Sequence, residues 1–220
     1  MTRVAVFDAY GTLFDVHSAV RRHAGLLGDR ADPVSALWRA RQLEYSWVSS
    51  LAGRYRDFWA LTQEALDFAL AAHGVDDPPL RASLLDAYLS LEPYPEVPGM
   101  LARLREMGVR AAILSNGSPM MLERAVKSAA LGDLLDAVLS VDEIGVYKPD
   151  PKVYALACER LGVGPDAVAF QSSNAWDAAG AAAFGFRVHW VNRAGLPREY
   201  APLGPVLPVA DLSTLPALLG

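Results

Sequence analysis

The sequence predicts an α/β protein: a doubly wound, Rossmann-like parallel-sheet core with an inserted helical cap. Three observations predict it. Short apolar runs at Val4–Phe7, Ala111–Leu114, Val138–Val141 and Val168–Phe170 alternate with helical patterns, the rhythm of a parallel sheet covered by helices on both faces. Each run stops at a polar cluster: Asp8 with Gly11 and Thr12, then Ser115-Asn116-Gly117, Lys148-Pro149-Asp150 and Ser172-Ser173-Asn174 with Asp177. Open α/β sheets bind their ligands at such strand ends. Finally, residues 16–91 contain no clean strand run and read as several amphipathic helices.

In chain order, Val4–Phe7 reads as a buried strand ending at Asp8. Aspartate also begins many ordinary turns, so position alone does not make Asp8 functional. In the helical stretch, Asp32-Pro33 reads as an N-cap followed by proline at the first helical position. Arg39, Leu43 and Trp47 then fall at i, i+4 and i+8, with Gln42 and Ser46 alongside. Such a stripe suits a site wall, and equally a helix packed on a neighbour with Arg39 snorkelling outward. Tyr55, Phe58 and Trp59 form a second aromatic cluster, and His73-Gly74 ends a helix. Tyr94–Gly99, with two prolines and a glycine, reads as a linker. The expected division is therefore a core of residues 1–14 and 95–220, with the cap at 15–94.

Beyond the linker the pattern predicts a helix over Met100–Met107, stopped by Gly108, and a strand over Ala111–Ser115. A helix capped by Ser118-Pro119 runs to about Ala130, before a strand at Ala137–Ser140. Asp150 caps a helix over Pro151–Leu161 that ends at Gly162. A strand at Val168–Gln171, a helix at Ala175–Phe184, a strand at Arg187–Val191 and a last short strand at Val206–Val209 complete the core.

Composition excludes several classes. The chain has 220 residues, 52% of them hydrophobic, ample for a buried core. A net charge of -5 argues against a nucleic-acid partner. Cys158 is the one cysteine, so there is no internal disulfide, and its Ala/Leu-rich helix suits a buried structural thiol. No apolar stretch reaches the ~18 residues of a membrane span. Met1-Thr2-Arg3 lead straight into a strand without a signal-peptide core, which makes a cytoplasmic protein the expectation. His17, His23, His73 and His189 show no metal-ligand spacing.

Five segments occur in a telling order: FDAYGTLFDVHS at Phe7–Ser18, LWRARQLEYSW at Leu37–Trp47, ILSNGSP at Ile113–Pro119, VYKPDPKVY at Val146–Tyr154 and SSNAWDAAGA at Ser172–Ala181. Together they resemble the haloacid dehalogenase superfamily, and within it the L-2-haloacid dehalogenase branch. The resemblance covers nearly the whole chain. It implies a Rossmann-like core with a helical cap, and an aspartate nucleophile, Asp8. A carboxylate displaces a good leaving group from carbon, and water then hydrolyses the ester.

Two departures separate this chain from the superfamily's phosphatases. Those carry a second aspartate two residues after the first, as general acid for the leaving alcohol; here that position is Tyr10. A halide needs no proton to depart, so the loss is tolerable for carbon–halogen cleavage. The phosphatases also supply a cluster of acids for Mg²⁺, which wants hard oxygen ligands. Here the matching stretch is Ser172-Ser173-Asn174, with Asp177 alone acidic. The expected site is metal-independent and has no cofactor.

The resemblance also implies roles. Lys148 would orient Asp8. Thr12, Ser172, Asn174 and Asp177 would hold Asp8, Lys148 and the hydrolytic water, with Tyr154 beside them. Ser115 and nearby backbone N–H groups would bind the substrate carboxylate. Arg39, with Asn116, would receive the halide; Arg39 follows Leu37-Trp38 as in the family pattern, and Arg41 points about 200° away around the helix. Tyr10, Leu43, Phe58 and Trp176 would wall the halogenated carbon. Structural alternatives stand beside these roles: Lys148-Pro149-Asp150 as a loop and helix start, Ser115–Ser118 as turn chemistry, Asn174 and Asp177 as helix caps. The implied reaction converts short L-2-haloalkanoic acids to D-2-hydroxy acids with inversion, in a homodimer. Competing readings are an Mg²⁺-dependent phosphatase or phosphonatase, and a non-catalytic binding protein on the same scaffold. On this reading Lys148→Ala costs activity far more than stability.

Overall fold

The computed structural model describes Val4–Gly220; Met1, Thr2 and Arg3, on which the expected absence of a signal sequence rests, lie outside the described residues. Six parallel strands form one sheet: β1 (Val4–Phe7), β2 (Arg110–Ser115), β3 (Ala137–Ser140), β4 (Val168–Ser172), β5 (Arg187–Val191) and β6 (Leu207–Val209). Their order across the sheet is β3-β2-β1-β4-β5-β6. The chain builds outward from β1 in one direction and, after β3, crosses back to build outward in the other. The crossing leaves a crevice at the carboxyl ends of β1 and β4, where doubly wound sheets take ligands. All residues of β1 and β4 are buried, which explains why they read as continuous apolar runs rather than alternating ones.

Two short helices, α1 (Ser18–Arg21) and α2 (Ala24–Leu27), precede three longer ones: α3 (Ala31–Leu51), α4 (Phe58–Ala72) and α5 (Pro78–Leu89). The chain leaves the sheet after Phe14 and returns at Pro93, and these two segments pair. Asp15 N donates to Glu92 O at 2.9 Å and Tyr94 N to Leu13 O at 3.0 Å. Asp57 caps α4 by accepting from Trp59 N and Ala60 N, and Asp77 caps α5 by accepting from Leu80 N. Trp38 Nε1 donates to Thr62 O at 2.8 Å, tying α3 to α4. Leu61, Leu66, Leu80 and Leu84 are buried among these helices, each worth about 1.5–3 kcal/mol relative to exposure.

The remaining helices are α6 (Val97–Glu106), α7 (Pro119–Ser128), α8 (Pro151–Leu161), α9 (Ala175–Phe184) and α10 (Leu215–Leu219). Asp150 caps α8 by accepting from Lys152 N, and Gly162 ends it in the left-handed region at φ +65°, as the sequence predicts.

Three boundaries differ from the sequence reading by more than one residue. Asp32 is not an N-cap: a 3₁₀ turn at Gly28–Arg30 feeds directly into α3, so Asp32 and Pro33 fall inside its first turn. Val97, Pro98 and Gly99 are not linker but the start of α6, where proline costs no hydrogen bond because its missing N–H would be unpaired anyway. α7 stops at Ser128, and Ala130 turns the chain at φ +53°. Cys158 is half-buried rather than fully buried. Among the described residues no helix is long and apolar enough to cross a membrane.

Candidate active site

Asp8 follows β1 directly, and its backbone N donates to Gln171 O of β4 at 2.9 Å. That bond carries the sheet pairing one residue past the strand and sets the carboxylate at the crevice. Three donors meet it. Lys148 Nζ lies 3.0 Å from Oδ1; Asn174 Nδ2 lies 2.8 Å and Thr12 Oγ1 3.2 Å from Oδ2. Gly11, at φ +91°, makes the turn that brings Thr12 back over Asp8. Thr12 Oγ1 also accepts from Ser173 N at 2.8 Å, so this hydroxyl joins the first strand's loop to the fourth's.

Lys148 is 1% exposed, and its Nζ also reaches Asp177 Oδ2 at 2.8 Å. Asp177 is fully buried in the first turn of α9, and Tyr154 of α8 donates its hydroxyl to Oδ1 at 2.9 Å. α8 and α9 can approach because residue 180 is glycine: a Cβ there would lie 2.6 Å from the Tyr154 hydroxyl and 2.7 Å from Pro149 Cβ.

The charges interact strongly. Burial works against the Lys148 ammonium, but Asp177 and Asp8 together outweigh it and hold its pKa above the usual lysine value. Burial pushes the Asp177 carboxyl up to about 6, against the pull of Lys148 and with Asp8 adding to the rise. Burial first, and Asp177 second, hold the Tyr154 hydroxyl well above its usual value, so it remains a proton donor to Asp177.

Arg39 completes the charge pattern from α3. It does not snorkel outward: Nη2 donates to Tyr10 O at 3.2 Å and Nη1 to Gln42 Oε1 at 2.7 Å. Asn174 Nδ2 approaches the same Tyr10 carbonyl at 3.4 Å. The strand-end aspartate, the buried lysine between two carboxylates and the arginine from the inserted helices thus meet in one place.

A family model for "haloacid dehalogenase-like hydrolase" matches residues 2–185. The chain belongs to this family. It is 52% identical over 218 residues, 99% of this chain and 96% of the relative, to (S)-2-haloacid dehalogenase 1 of a Pseudomonas species (strain CBS-3). A crystal structure of a dehalogenase superposes with a TM-score of 0.97 at 49% identity, covering 99% of this chain and 96% of the other. An L-2-haloacid dehalogenase from Xanthobacter autotrophicus, solved with chloropropionic acid covalently bound, superposes with a TM-score of 0.91 at 40% identity, covering 100% and 98%.

Within this haloacid dehalogenase-like hydrolase, the other residues singled out from the sequence divide into groups. Ser115 Oγ accepts from Gly117 N at 3.0 Å, and Ser172 Oγ from Asn174 N at 3.2 Å. Both hydroxyls therefore shape their loops. Asn116 Oδ1 accepts from Lys148 N at 3.1 Å, seating the lysine's backbone. Tyr10 and Phe58 pack together, ring centroids 6.2 Å apart. The Tyr10 hydroxyl is buried with no hydrogen-bond partner among the described residues. Leu43 is half-buried on α3. Trp176 meets Trp47 edge-on at 5.3 Å, and both line a cavity of about 510 Å³ with Tyr147, Lys148 and Pro149.

The donor set does not fit Mg²⁺. Asp8 and Asp177 both face the Lys148 ammonium, so a divalent cation between them would meet a fixed like charge. No group of three or more His, Cys, Asp or Glu suited to a metal occurs among the described residues.

The sequence reading missed Ser173 and Arg193. Ser173 N supports Thr12, and its place inside the SSN segment was a usable signal. Arg193 Nη2 donates to Thr12 O at 3.1 Å and pairs with Glu96 at 2.6 Å, its guanidinium 3.7 Å above the Tyr94 ring. It clamps the Asp8 loop to the returning chain, and no local pattern announces it.

Proposed function

We propose that this enzyme hydrolyses short L-2-haloalkanoic acids to D-2-hydroxy acids and halide, through an ester on Asp8 and without a metal ion. The carrying observation is Asp8 itself: a buried carboxylate fixed by Lys148, Asn174 and Thr12, with tyrosine where a general acid would be needed for an alcohol leaving group. An Asp8 oxygen attacks C2 from the side opposite the halogen, the new O–C2 bond forms, and the halide departs with the electron pair. Attack from that side inverts C2. Water then adds to the Asp8 ester carbonyl carbon, and the hydroxy acid leaves with the oxygen that Asp8 supplied.

The donors that orient Asp8 in the first step face the oxyanion that develops in the second. Asp177, pushed up to about 6 by burial, suits the base that takes the proton from water at neutral pH. Arg39 keeps N–H groups beyond its two bonds for the departing halide, with Asn116 beside the Lys148 loop. Ser115 and the backbone N–H groups near Tyr10 and Asn116 suit the substrate carboxylate, since N–H groups at strand-to-helix turns favour anions.

Halide release from each enantiomer of 2-chloropropionate in EDTA, beside p-nitrophenyl phosphate with Mg²⁺, tests this reading. Halide from the L-enantiomer alone, unaffected by EDTA, is the expected result. Phosphate release with no halide would replace it with the phosphatase reading.

A pH dependence follows from Asp177. kcat should fall as pH drops through about 6, as a proton occupies the carboxyl required as base. The folded pKa lies above the unfolded one, so the fold binds this proton more tightly than the unfolded chain. This group's contribution to stability therefore increases as pH falls through that window, and is least favourable above it. Activity should disappear before any acid-induced loss of melting temperature, a separation that parallel rate and melting profiles between pH 5 and 8 would reveal.

A further inference from the structure

We infer that Gln42 is the positioning residue for Arg39, and that the position requires a neutral amide. The inference rests on the reading of Arg39 as the cation that meets the halide or the substrate anion.

Gln42 lies three residues after Arg39 on α3, so the two share a helix face. It is fully buried, and a buried amide is tolerated only when its polar atoms are paired. All of its polar atoms are. Oε1 accepts from Arg39 Nη1 at 2.7 Å and from the Tyr88 hydroxyl at 3.1 Å; Nε2 donates to Thr62 Oγ1 at 2.7 Å. Thr62 fixes which way the amide faces. Its hydroxyl proton goes to Phe58 O at 2.6 Å, so it offers Gln42 only lone pairs. The nitrogen must point to Thr62 and the oxygen to Arg39.

The partners of this amide are themselves held. The Tyr88 ring stacks on Tyr10, with centroids 5.7 Å apart and planes 11° apart, and packs on Trp38 at 4.8 Å. Thus α3, α4 and α5 each contribute one group to a single polar knot behind Arg39. On its other side, the guanidinium bonds the Tyr10 carbonyl, in the loop that carries Asp8. An arginine held at both ends loses the rotamer freedom of its long side chain before substrate arrives.

The chemistry of the amide is specific. A glutamate at position 42 would turn a carboxylate oxygen toward the lone pairs of Thr62. It would also place a full negative charge on Arg39, competing with the anion that Arg39 is to receive. A methionine would fill the same space and leave Arg39 without its acceptor.

The test compares wild type with Gln42→Met, Gln42→Glu and Thr62→Val. The readouts are melting temperature, kcat and KM for L-2-chloropropionate, and chloride affinity by titration in the absence of turnover. Losing a charge-assisted bond should raise KM and weaken chloride binding roughly tenfold in Gln42→Met, and more in Gln42→Glu. Thr62→Val, nearly isosteric, should shift both in the same direction by about threefold. It decides the matter should the Gln42 variants fail to fold. Variants that melt lower but keep wild-type KM and chloride affinity would overturn the inference, leaving Gln42 a packing residue. If wild type releases no halide from any 2-haloacid, the functional reading fails. The chloride titration then decides the role of Gln42 by itself: equal affinity in wild type and Gln42→Met overturns it.

Discussion

Asp8→Asn is expected to lose at least about 10⁴-fold in kcat, the scale on which a covalent mechanism collapses without its nucleophile. The substitution is nearly isosteric, so the change tests chemistry rather than packing. It is not free of structural cost. Asp8 accepts from Lys148, Thr12 and Asn174, and an amide must turn its NH₂ toward donors on one side. The lost bonds should cost about 1–3 kcal/mol, which leaves the fold intact. A labelling experiment checks the nucleophile directly. In a single turnover in ¹⁸O-water, the label should enter the Asp8 carboxylate of wild type, because water attacks the ester carbonyl and the hydroxy acid keeps the old oxygen. Label found in the hydroxy acid instead would mean that water attacks C2 directly and that Asp8 is not the nucleophile.

Lys148→Met is expected to remove both activity and a large part of stability. The sequence reading expects the lysine to matter far more for rate than for folding; its placement revises that. Lys148 is buried between two buried carboxylates, and deleting one partner of such a set typically costs about 3–5 kcal/mol. That is about a fifth or more of the roughly 5–15 kcal/mol that stabilises a domain. The cost should depend on pH. Burial already pushes Asp177 up to about 6, and Lys148 is the main group holding it down, with the Tyr154 hydroxyl second. Without the ammonium the folded-state pKa rises further, so the folded variant takes up a proton that the unfolded chain does not. The melting-temperature gap to wild type should therefore be largest near pH 8 and narrow toward pH 5. Thermal melts at both values check it. A gap that stays constant with pH would mean that lost packing, not uncompensated charge, sets the cost. Turnover should fall about 10³-fold, with the donor to the ester oxyanion gone.

The sheet was legible in the sequence because its signals are local. Val4–Phe7, Ala111–Ser115 and Val168–Gln171 are apolar runs that end at polar clusters. The parallel topology these runs imply brings their carboxyl ends to one edge. Asp8, Lys148, Asn174 and Asp177 could be assigned to one site on that ground, although 140 residues separate Asp8 from Lys148. Helix α8 was legible to its boundaries because Asp150, Pro151 and Gly162 each act within one turn of the chain.

What the sequence could not determine depends on neighbours far away in the chain. It placed Arg39 on a helix stripe but not its direction; the Tyr10 carbonyl and Gln42 decide that. It gave Ser115 a role at the substrate carboxylate and Ser172 one in holding the site, but not the backbone N–H that each oxygen also accepts from its own loop. It did not show the neighbours of Trp176, which packs edge-on against Trp47 of α3 and lines a cavity with Lys148. The sequence by itself determined the fold class, because strand periodicity and strand-end polarity are properties of a few consecutive residues, and the resemblance of its motifs to the haloacid dehalogenases singled out Asp8 and Lys148. Only the tertiary structure decided how buried Lys148 is, which backbone N–H groups the loop hydroxyls accept from and what holds Arg39. Each of these depends on the spatial packing of separate helices and loops, and burial there converts a hydrogen-bond partner from a convenience into a requirement.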